Sequence, residues 1–293
     1  MNLDHFGIST MALAGPLEAK LQAVRAAGFT QVTLSAAEIS GHPGGEEAAI
    51  AAVRSSGLRV CAFEALRDFE GLPGHLHDSK VGVAKAMLGK CRALGCKLLV
   101  AWSSTSSHAS GDAEAIVRDL RSLAMLAVPY GIRIGYEPLS WGRHVDALSR
   151  AADIVDDADR ANLGLVVDSF HTIASGAKLA ELEYMDAGKI FLVQLSDFLT
   201  QDVRSAEERR DIAWHSRVFP GEGTHGAELT ELVRRLDDAG YRGDLSFEVY
   251  NDDYLDLPRA AVAIRARDAA KWVTDRVSRR SLPIRRPRRN AAL

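Results

Sequence analysis

Short β-like segments alternate with longer helical segments along this chain, and eight such rounds follow one another. Several of the β-like segments are uninterrupted apolar runs, for example KLLVAW, LGLVV and IFLVQL. Such runs are typical of parallel strands that are buried on both faces. Many of the helical segments end at a glycine, as helices commonly do. The predicted strands span residues 5–10, 31–36, 58–65, 96–104, 133–139, 163–170, 190–198 and 243–250.

The number of rounds distinguishes two arrangements of a parallel sheet. Eight strand–helix units in about 275 residues fit a closed (β/α)8 barrel, the TIM barrel, which typically needs about 250 residues. An open doubly wound sheet is the alternative, but no glycine-rich phosphate loop follows the first strand. The 293 residues, 47% hydrophobic and 26% charged, have the composition of a globular protein. We therefore predict one α/β catalytic domain, a TIM barrel, over residues 1–278.

Charge is distributed unevenly between this predicted domain and the C-terminus. Residues 276–293 contain seven arginines, two prolines and no acid, whereas the formal net charge of the whole chain is −3. The remaining residues therefore carry a net charge of −10, which gives no reason to expect nucleic acid as a partner. Residues 279–293 are predicted to form a basic, disordered tail. A binding arm is the alternative for this tail, but no other feature of the sequence supports it.

Three observations predict the compartment. No apolar run approaches the ~18–20 residues of a membrane span, so no membrane association is predicted. The N-terminus lacks the basic and then apolar pattern of a signal peptide. The cysteines Cys61, Cys91 and Cys96 form no C-x-x-C pair, which argues against a disulfide framework. We predict a cytoplasmic protein, and the sequence leaves open whether it forms a homo-oligomer.

Oxygen-bearing side chains stand near the ends of the last four predicted strands, amid apolar neighbours. They are Glu137, Asp168, Gln194 and Glu248. The C-terminal strand ends of a barrel form its catalytic face, so these side chains are expected to converge. Burial of three carboxylates without a counter-charge would cost several kcal/mol each, and a divalent cation would offset that cost. Oxygen ligands favour Mg²⁺, Mn²⁺ or Co²⁺ over the zinc of a thiolate site, and one such ion is predicted.

Each of these four residues, taken alone, also has a structural interpretation. Glu137 could be a buried, hydrogen-bonded acid, and Asp168 could cap a helix N-terminus. Gln194 could be a core amide, and Glu248 a salt-bridge partner. Their occurrence on four consecutive strands favours the metal site.

Further charged and ring side chains belong to the same expected face. Arg67 follows strand three, Arg143 and His144 follow strand five, and His171 lies just past strand six. A connection of roughly 28 residues after strand seven carries Arg217, and long βα loops are usually functional. Cationic side chains around a metal predict a small anionic substrate, because guanidinium groups pair well with carboxylate or phosphate.

Several motifs in these segments are specific, notably RDFEG, the E-x-x-x-WGRH run and DSFH. They resemble the xylose-isomerase-like group of sugar isomerases, epimerases and dehydratases, and within it the bacterial 3-dehydroshikimate dehydratases. The similarity extends over nearly the whole chain in order. Gln194 also matches, at a position where many sugar isomerases of the group have histidine. The matching passages are residues 7–29, 66–71, 136–145, 166–172, 217–223 and 245–252.

The resemblance implies an activity and a role for each matched residue. His171 would be the catalytic acid/base, with His144 as the second candidate, and Arg67 and Arg217 would hold a cyclic anionic substrate. The implied reaction converts 3-dehydroshikimate to protocatechuate by β-elimination of water through a metal-stabilised enolate. The hydrogen removed is α to a ketone and the leaving hydroxyl is β to it, so a Lewis acid and a histidine suit this chemistry. The implied metal ligands are Glu137, Asp168, Gln194 and Glu248.

Three stretches depart from the family pattern. Ser35 and Ala36 follow the second strand where the family has acids, Glu64 and Ala65 replace Gln-Pro, and residues 253–256 replace an aromatic–arginine pair. A metal-dependent sugar or inositol isomerase, epimerase or dehydratase on the same barrel is therefore the second hypothesis. A catalytically inactive binding protein is the third, and the complete ligand set argues against it. An endonuclease of the related barrel group would need more metal-binding histidines and a basic face.

Overall fold

The computed structural model describes residues 3–278, and the predicted tail at 279–293 lies outside the described residues. Eight parallel strands pair in chain order, and pairing of the first with the last closes the sheet. The TIM barrel predicted from the sequence is confirmed. The strands are β1 (Phe6–Ser9), β2 (Gln31–Ser35), β3 (Arg59–Leu66), β4 (Leu98–Trp102), β5 (Arg133–Glu137), β6 (Leu163–Asp168), β7 (Ile190–Leu195) and β8 (Leu245–Phe247).

Helices connect the strands and form the outer layer of the barrel. The α-helices are α1 (Leu17–Ala26), α2 (Ala36–Ser40), α3 (Gly45–Ser56), α4 (Gly74–Leu94), α5 (Ala113–Ala127), α6 (Leu148–Ala158), α7 (Ser169–Ala174), α8 (Ala206–His215), α9 (Gly226–Asp238), α10 (Asp252–Leu255) and α11 (Arg259–Ser278). Short 3₁₀ helices span Leu3–His5, Thr10–Ala12, Val128–Tyr130, Leu179–Tyr184 and Ala187–Lys189. None of the helices within residues 3–278 has the length and apolar character needed to cross a membrane. The three cysteines are buried free thiols.

The observed strands correspond one by one to the predicted ones, but several end earlier. The prediction extends strand eight to residue 250, whereas β8 ends at Phe247. The Glu248 N–H still donates to the Leu195 carbonyl of β7 (3.2 Å), whereas further along the Tyr250 carbonyl accepts a hydrogen bond from the Arg217 N–H (3.0 Å) of the long connection. Ser216 and Asn251 form an isolated antiparallel bridge beside it. Glu248 therefore lies just past its strand.

The long connection after β7 contains a helix, α8, in a segment that the sequence analysis treats as a loop. The helix begins at a capping box, in which Ser205 Oγ accepts from the Glu208 N–H and the Glu208 carboxylate accepts from the Ser205 N–H. The S-x-x-E pattern was the available sequence signal for this helix start. Near its C-terminal end, α8 carries Trp214, whose ring lies 5.6 Å from that of Trp102 at the end of β4.

Apolar side chains pack on both sides of the strands. The main core lies between strands and helices and includes Tyr136 of β5. A smaller cluster contains Ala62 of β3 and Val166 of β6 and fills the barrel interior. Side chains alternate between the two faces of a strand, so residues two positions further on also point inward. This alternation places Glu64 and Asp168 directly above the inner cluster, at the C-terminal end of the barrel.

Candidate metal centre

Three predicted ligands and one predicted catalytic residue come together at the C-terminal end of the barrel. Glu137 ends β5, Asp168 ends β6 and His171 lies in the first turn of α7, and ligand atoms of all three lie within 4.8 Å of one another. Glu248 joins this group through Arg217, whose Nη1 lies 2.7 Å from Asp168 Oδ2 and 2.9 Å from Glu248 Oε2. All five side chains are buried.

The fourth predicted ligand, Gln194, lies beside Asp168, because the two residues pair in the register of β6 and β7. Its Nε2 donates a hydrogen bond to Glu64 Oε2 (3.1 Å), while its buried Oε1 has no hydrogen-bond partner within residues 3–278. Glu137 is similar: Oε2 accepts from Trp102 Nε1 (2.8 Å), and Oε1 has no partner in the described part of the chain. An unsatisfied buried acceptor costs about 1–3 kcal/mol.

These donor atoms fit a divalent cation. Two buried oxygens without partners, further carboxylate oxygens and an imidazole nitrogen are the ligand types that Mg²⁺, Mn²⁺, Co²⁺ and zinc accept in proteins. Because His171 contributes to the compact group, it is also a candidate ligand, a role that the sequence analysis does not assign to it. The ligand roles of Glu137, Asp168, Gln194 and Glu248 stay predictions, and the positions described above support them.

Arg217, predicted to bind substrate, contacts the predicted metal ligands instead. Its guanidinium is 2% exposed, pairs with Asp168 and Glu248, and lies 4.6 Å from the centroid of the Phe170 ring. Although burial opposes the shift, these carboxylates hold the pKa of Arg217 above its usual value. Contrary to the expectation from sequence, the buried acids therefore have a counter-charge within the chain. A contact between Arg217 and substrate stays a prediction.

Glu64 is a buried acid that the sequence analysis notes only as a departure from the family pattern. Its Oε1 accepts a hydrogen bond from Ser9 Oγ (3.3 Å) and its Oε2 accepts from Gln194. Burial raises the pKa of Glu64 to about 8, and a nearby bound cation would favour its ionised form. The sequence signal was an acid near the end of an apolar strand, as on strands five, six and eight. With Glu64, four buried carboxyl groups share one guanidinium; burial raises the pKa of Glu64, Glu137 and Glu248, and a bound cation would favour their ionised forms.

Contacts on both sides hold His171 in place. Asp168 Oδ1 accepts a hydrogen bond from the His171 backbone N–H (3.1 Å) and thereby caps α7. The ring Nδ1 lies 3.2 Å from the Ser140 nitrogen and 3.1 Å from Ser140 Oγ, so Ser140 offers it both a donor and an acceptor. Nε2 faces the site, 3.7 Å from Glu137 Oε1. Burial lowers the pKa of His171 to about 3, so the ring is neutral at neutral pH.

The structure places Arg67 at the mouth of the site but does not bring His144 into it. Arg67 is exposed, and its guanidinium lies beside two neighbouring indole rings, 4.6 Å from the centroid of Trp102 and 5.2 Å from that of Trp214. His144 is also exposed, and its Nε2 shares a hydrogen bond with the Ala109 carbonyl (2.9 Å) in the loop before α5. Arg67 is thus available to an incoming anion, whereas the contact of His144 holds two loops together.

A small cavity lies between the candidate ligands and α8. Its volume is about 10 Å³, and its walls include His171, Arg217, Glu248, Trp214 and Tyr250. That space is close to the minimum for one water molecule, whereas small-molecule pockets typically measure about 300–1,000 Å³. A larger open groove of about 800 Å³ lies between α4 and α5, but it contains none of the predicted site residues. A small-molecule ligand would therefore fit here only if side chains of the cavity wall, such as Trp214 of α8, moved.

The buried acids predict a pH dependence of stability in the metal-free protein. The pKa values of Glu64 (about 8) and Glu70 (about 7) are raised by burial above the ordinary value of 4.5. Stability from such groups is present below pH 4.5 and is lost as the pH rises through their folded-state pKa values. His171 has the opposite effect, because burial lowers its pKa from 6.5 to about 3. The stability that comes from its neutral ring is present above pH 6.5 and is lost as the pH falls toward about 3.

Between about pH 6.5 and 8 the acids therefore dominate, and the free energy of unfolding of the metal-free protein is expected to fall. Urea denaturation in the presence of a chelator at pH 6.5 and pH 8 measures this fall. Glu64→Gln should reduce it, and a saturating divalent cation should reduce it as well. A stability that rises across this interval would contradict the assignment.

Comparison with known proteins gives matches that bear on this site. The 3-dehydroshikimate dehydratase of Pseudomonas aeruginosa is 35% identical over 261 residues, which is 88% of this chain and 40% of that protein. The inosose isomerase of Bacillus licheniformis is 31% identical over 204 residues, 68% of this chain and 70% of that protein. The IOLI protein, whose crystal structure has a bound zinc atom, is 23% identical in sequence, and its structure superposes with a TM-score of 0.79. The match covers 94% of this chain and 98% of the IOLI chain.

The resemblance to the bacterial 3-dehydroshikimate dehydratases is thus confirmed, although the chain spans only about 40% of the length of the Pseudomonas enzyme. The xylose isomerase-like TIM barrel family matches residues 21–275, most of the closed barrel. With this match over most of its length, the chain belongs to the xylose isomerase-like TIM barrel family.

Proposed function

We propose that this protein is a metal-dependent hydro-lyase that converts 3-dehydroshikimate to protocatechuate. The observation that carries the proposal is the compact buried group of Glu137, Asp168 and His171 at the C-terminal end of the barrel. The similarity to a 3-dehydroshikimate dehydratase over 88% of the chain supports this choice of substrate. The proposed substrate is a small cyclic anion, which suits the guanidinium of the exposed Arg67.

In this proposal Glu137, Asp168, Gln194 and Glu248 hold one divalent cation, which we take to be Mg²⁺, Mn²⁺ or Co²⁺. When bound, the cation supplies Lewis-acid polarisation of the ketone of the substrate. The buried ligands and the indole of Trp102, which donates to Glu137, keep the geometry fixed and bulk water out.

His171 moves the proton in this scheme. Its Nε2 takes the hydrogen α to the ketone, and the electron pair of that C–H bond forms the new double bond as the β-hydroxyl leaves. The departing hydroxyl takes up the proton that His171 now carries, so that one water is released and the ring nitrogen is free again, and tautomerisation of the six-membered ring of the substrate then gives the aromatic product. For Nε2 to act as the base, the neutral ring has to carry its proton on Nδ1, which then donates a hydrogen bond to Ser140 Oγ (3.1 Å). The same contact is kept when Nε2 is protonated, so the ring can gain and lose a proton at Nε2 while Nδ1 stays paired.

An isomerase acting on inosose, a neutral cyclic polyol, is the second candidate function. The observation that favours it is the 31% identity to an inosose isomerase, of which this chain covers 70%. The same metal group would serve both reactions. The charge of the substrate distinguishes them, because an arginine at the mouth improves the binding of a carboxylate but not of a neutral polyol.

The purified full chain, reconstituted in turn with Mg²⁺, Mn²⁺ and Co²⁺, tests the proposal. With 3-dehydroshikimate we expect the absorbance of protocatechuate to appear, and with inosose little or no turnover. Glu137→Ala is the matched control, because it should abolish metal binding and product formation while the circular dichroism spectrum stays native. Turnover of inosose without turnover of 3-dehydroshikimate would overturn the dehydratase assignment in favour of the isomerase.

The proposal predicts a specific effect at the mouth of the site. Arg67→Ala should raise the KM for 3-dehydroshikimate about 10- to 100-fold, because a charge-assisted hydrogen bond contributes about 1.5–3 kcal/mol. The kcat should change less, since Arg67 contacts neither the metal group nor His171. Arg118→Ala, at an exposed arginine of α5, serves as the control and should leave the KM unchanged. Steady-state kinetics of both variants measure the difference, and equal effects would remove the special role of Arg67.

A further inference from the structure

We propose that Glu64 is a positioning residue for Gln194: it holds the amide so that its oxygen, and not its nitrogen, faces the metal group. This inference deepens the proposed function, because it rests on the proposed role of Gln194 as a ligand. It goes beyond that role by assigning a task to an acid at a position where the sequence departs from the family pattern.

The hydrogen bond between the two residues crosses the interior of the barrel. Glu64 lies on β3 and Gln194 on β7, four strands apart in a closed sheet of eight, so their side chains meet from opposite walls. Gln194 Nε2 lies 3.1 Å from Glu64 Oε2, and both side chains are at most 2% exposed. The contact is therefore shielded from water, which would otherwise compete for both groups.

The chemistry of a side-chain amide makes its orientation important. An amide group carries a donor nitrogen and an acceptor oxygen of nearly the same size, and a half turn exchanges them. Only the oxygen can serve a hard cation as a ligand. In the observed orientation the nitrogen is used by Glu64, and Gln194 Oε1 is left buried without a hydrogen-bond partner among the described residues.

Glu64 is suited to fix this orientation when a bound cation keeps it ionised, because a carboxylate accepts hydrogen bonds and offers none. If the amide turned round, Gln194 Oε1 would face Glu64 Oε2 across the same 3.1 Å, which places two acceptors against each other. The other carboxylate oxygen is itself held by Ser9 Oγ at 3.3 Å, which restrains rotation of the carboxylate. Glutamine at position 64 would lose this selectivity, because its own amide can donate as well as accept.

Three variants and a double-mutant cycle test the proposal, with Mn²⁺ affinity, measured by competition with a chelator, as the readout. Glu64→Gln should weaken Mn²⁺ binding about 10- to 100-fold, the usual effect of removing a group that orients a ligand. Glu64→Asp keeps the charge but is one methylene too short to reach Gln194, so it should weaken binding similarly. In the background of Gln194→Ala, Glu64→Gln should have little further effect, because the group that it orients is gone.

The matched control is Glu70→Gln. Glu70 is also a buried acid, but its Oε1 accepts from the Ser104 N–H and the Tyr136 hydroxyl, and it touches none of the proposed ligands. This substitution should leave Mn²⁺ affinity unchanged, and thermal unfolding of each variant verifies that the fold is retained. Wild-type affinity in Glu64→Asp, or the same loss from Glu64→Gln with and without Gln194, would show that only the charge of Glu64 matters and would overturn the proposal.

The readout needs no substrate, so the two proposals can fail separately. If wild type binds Mn²⁺ but does not dehydrate 3-dehydroshikimate, the cycle still decides the role of Glu64. If wild type forms protocatechuate but the cycle shows no coupling between the two residues, the positioning role falls and the dehydratase assignment stands. If wild type binds no Mn²⁺, both the metal site and the positioning role fall together.

Discussion

Substitution of His171 by asparagine is expected to lower the turnover of 3-dehydroshikimate by about 10²–10⁴-fold, the usual contribution of a general acid/base. Asparagine is close to histidine in size and can keep a hydrogen bond with Ser140, but it cannot take up a proton. The fold should therefore survive while the proton transfer is lost. The measurement is kcat in the metal-reconstituted variant, together with its Mn²⁺ affinity.

The affinity measurement matters because His171 belongs to the same compact group as Glu137 and Asp168. A large loss of turnover with nearly unchanged Mn²⁺ affinity supports the acid/base role. A parallel loss of affinity would make His171 a metal ligand, and unchanged turnover would exclude both roles. His144→Asn serves as the control, and turnover should be unaffected there because His144 contacts a loop carbonyl outside the cavity.

Replacement of Arg217 by methionine is expected to have the largest effect on stability. In the metal-free protein it should lower the free energy of unfolding by about 3–5 kcal/mol, the usual cost of removing one partner from a buried ion pair. The reason is that Asp168 and Glu248 would lose the guanidinium that now bridges them. A saturating divalent cation should restore much of this loss, because binding to the folded state stabilises it and replaces the missing charge.

Urea denaturation of wild type and variant, with and without the cation, measures both effects. Arg265→Met is the control: its pair with Glu222 is partly exposed, and such pairs contribute about 0–1 kcal/mol. A loss below 1 kcal/mol in Arg217→Met would mean that Arg217 does not stabilise the carboxylates. A loss that the cation does not reduce would mean that the carboxylates do not bind it.

The barrel could be predicted from the sequence because its strands are short apolar runs between helices that end at glycines. The four predicted ligands followed from the same regularity, since one barrel end collects the C-terminal residues of all strands. The structure supports the convergence of Glu137, Asp168 and Glu248, and the register of β6 and β7 brings Gln194 beside them.

Two site features could not be predicted in the same way. The pairing of Arg217 with Asp168 joins residues 49 positions apart, and the contact of Glu64 with Gln194 joins residues 130 positions apart across the barrel. No local pattern encodes such contacts, because they depend on which side chains meet inside the closed sheet. The sequence analysis also missed the helix α8, but here a local signal was present: the capping box of Ser205 and Glu208 marks the start of the helix.

The segment between β7 and α9 has a consequence for how this barrel could be re-engineered. Its helix α8 supplies Trp214, which lines the cavity, and a few residues later the same segment supplies Arg217, which pairs with Asp168 and Glu248. Replacing this segment with that of a relative would change the side chains that line the cavity, and with them the range of molecules that fit. A graft that includes α8 but omits Arg217 would leave Asp168 and Glu248 without their ion-pair partner. The helix and the arginine therefore have to be transferred together.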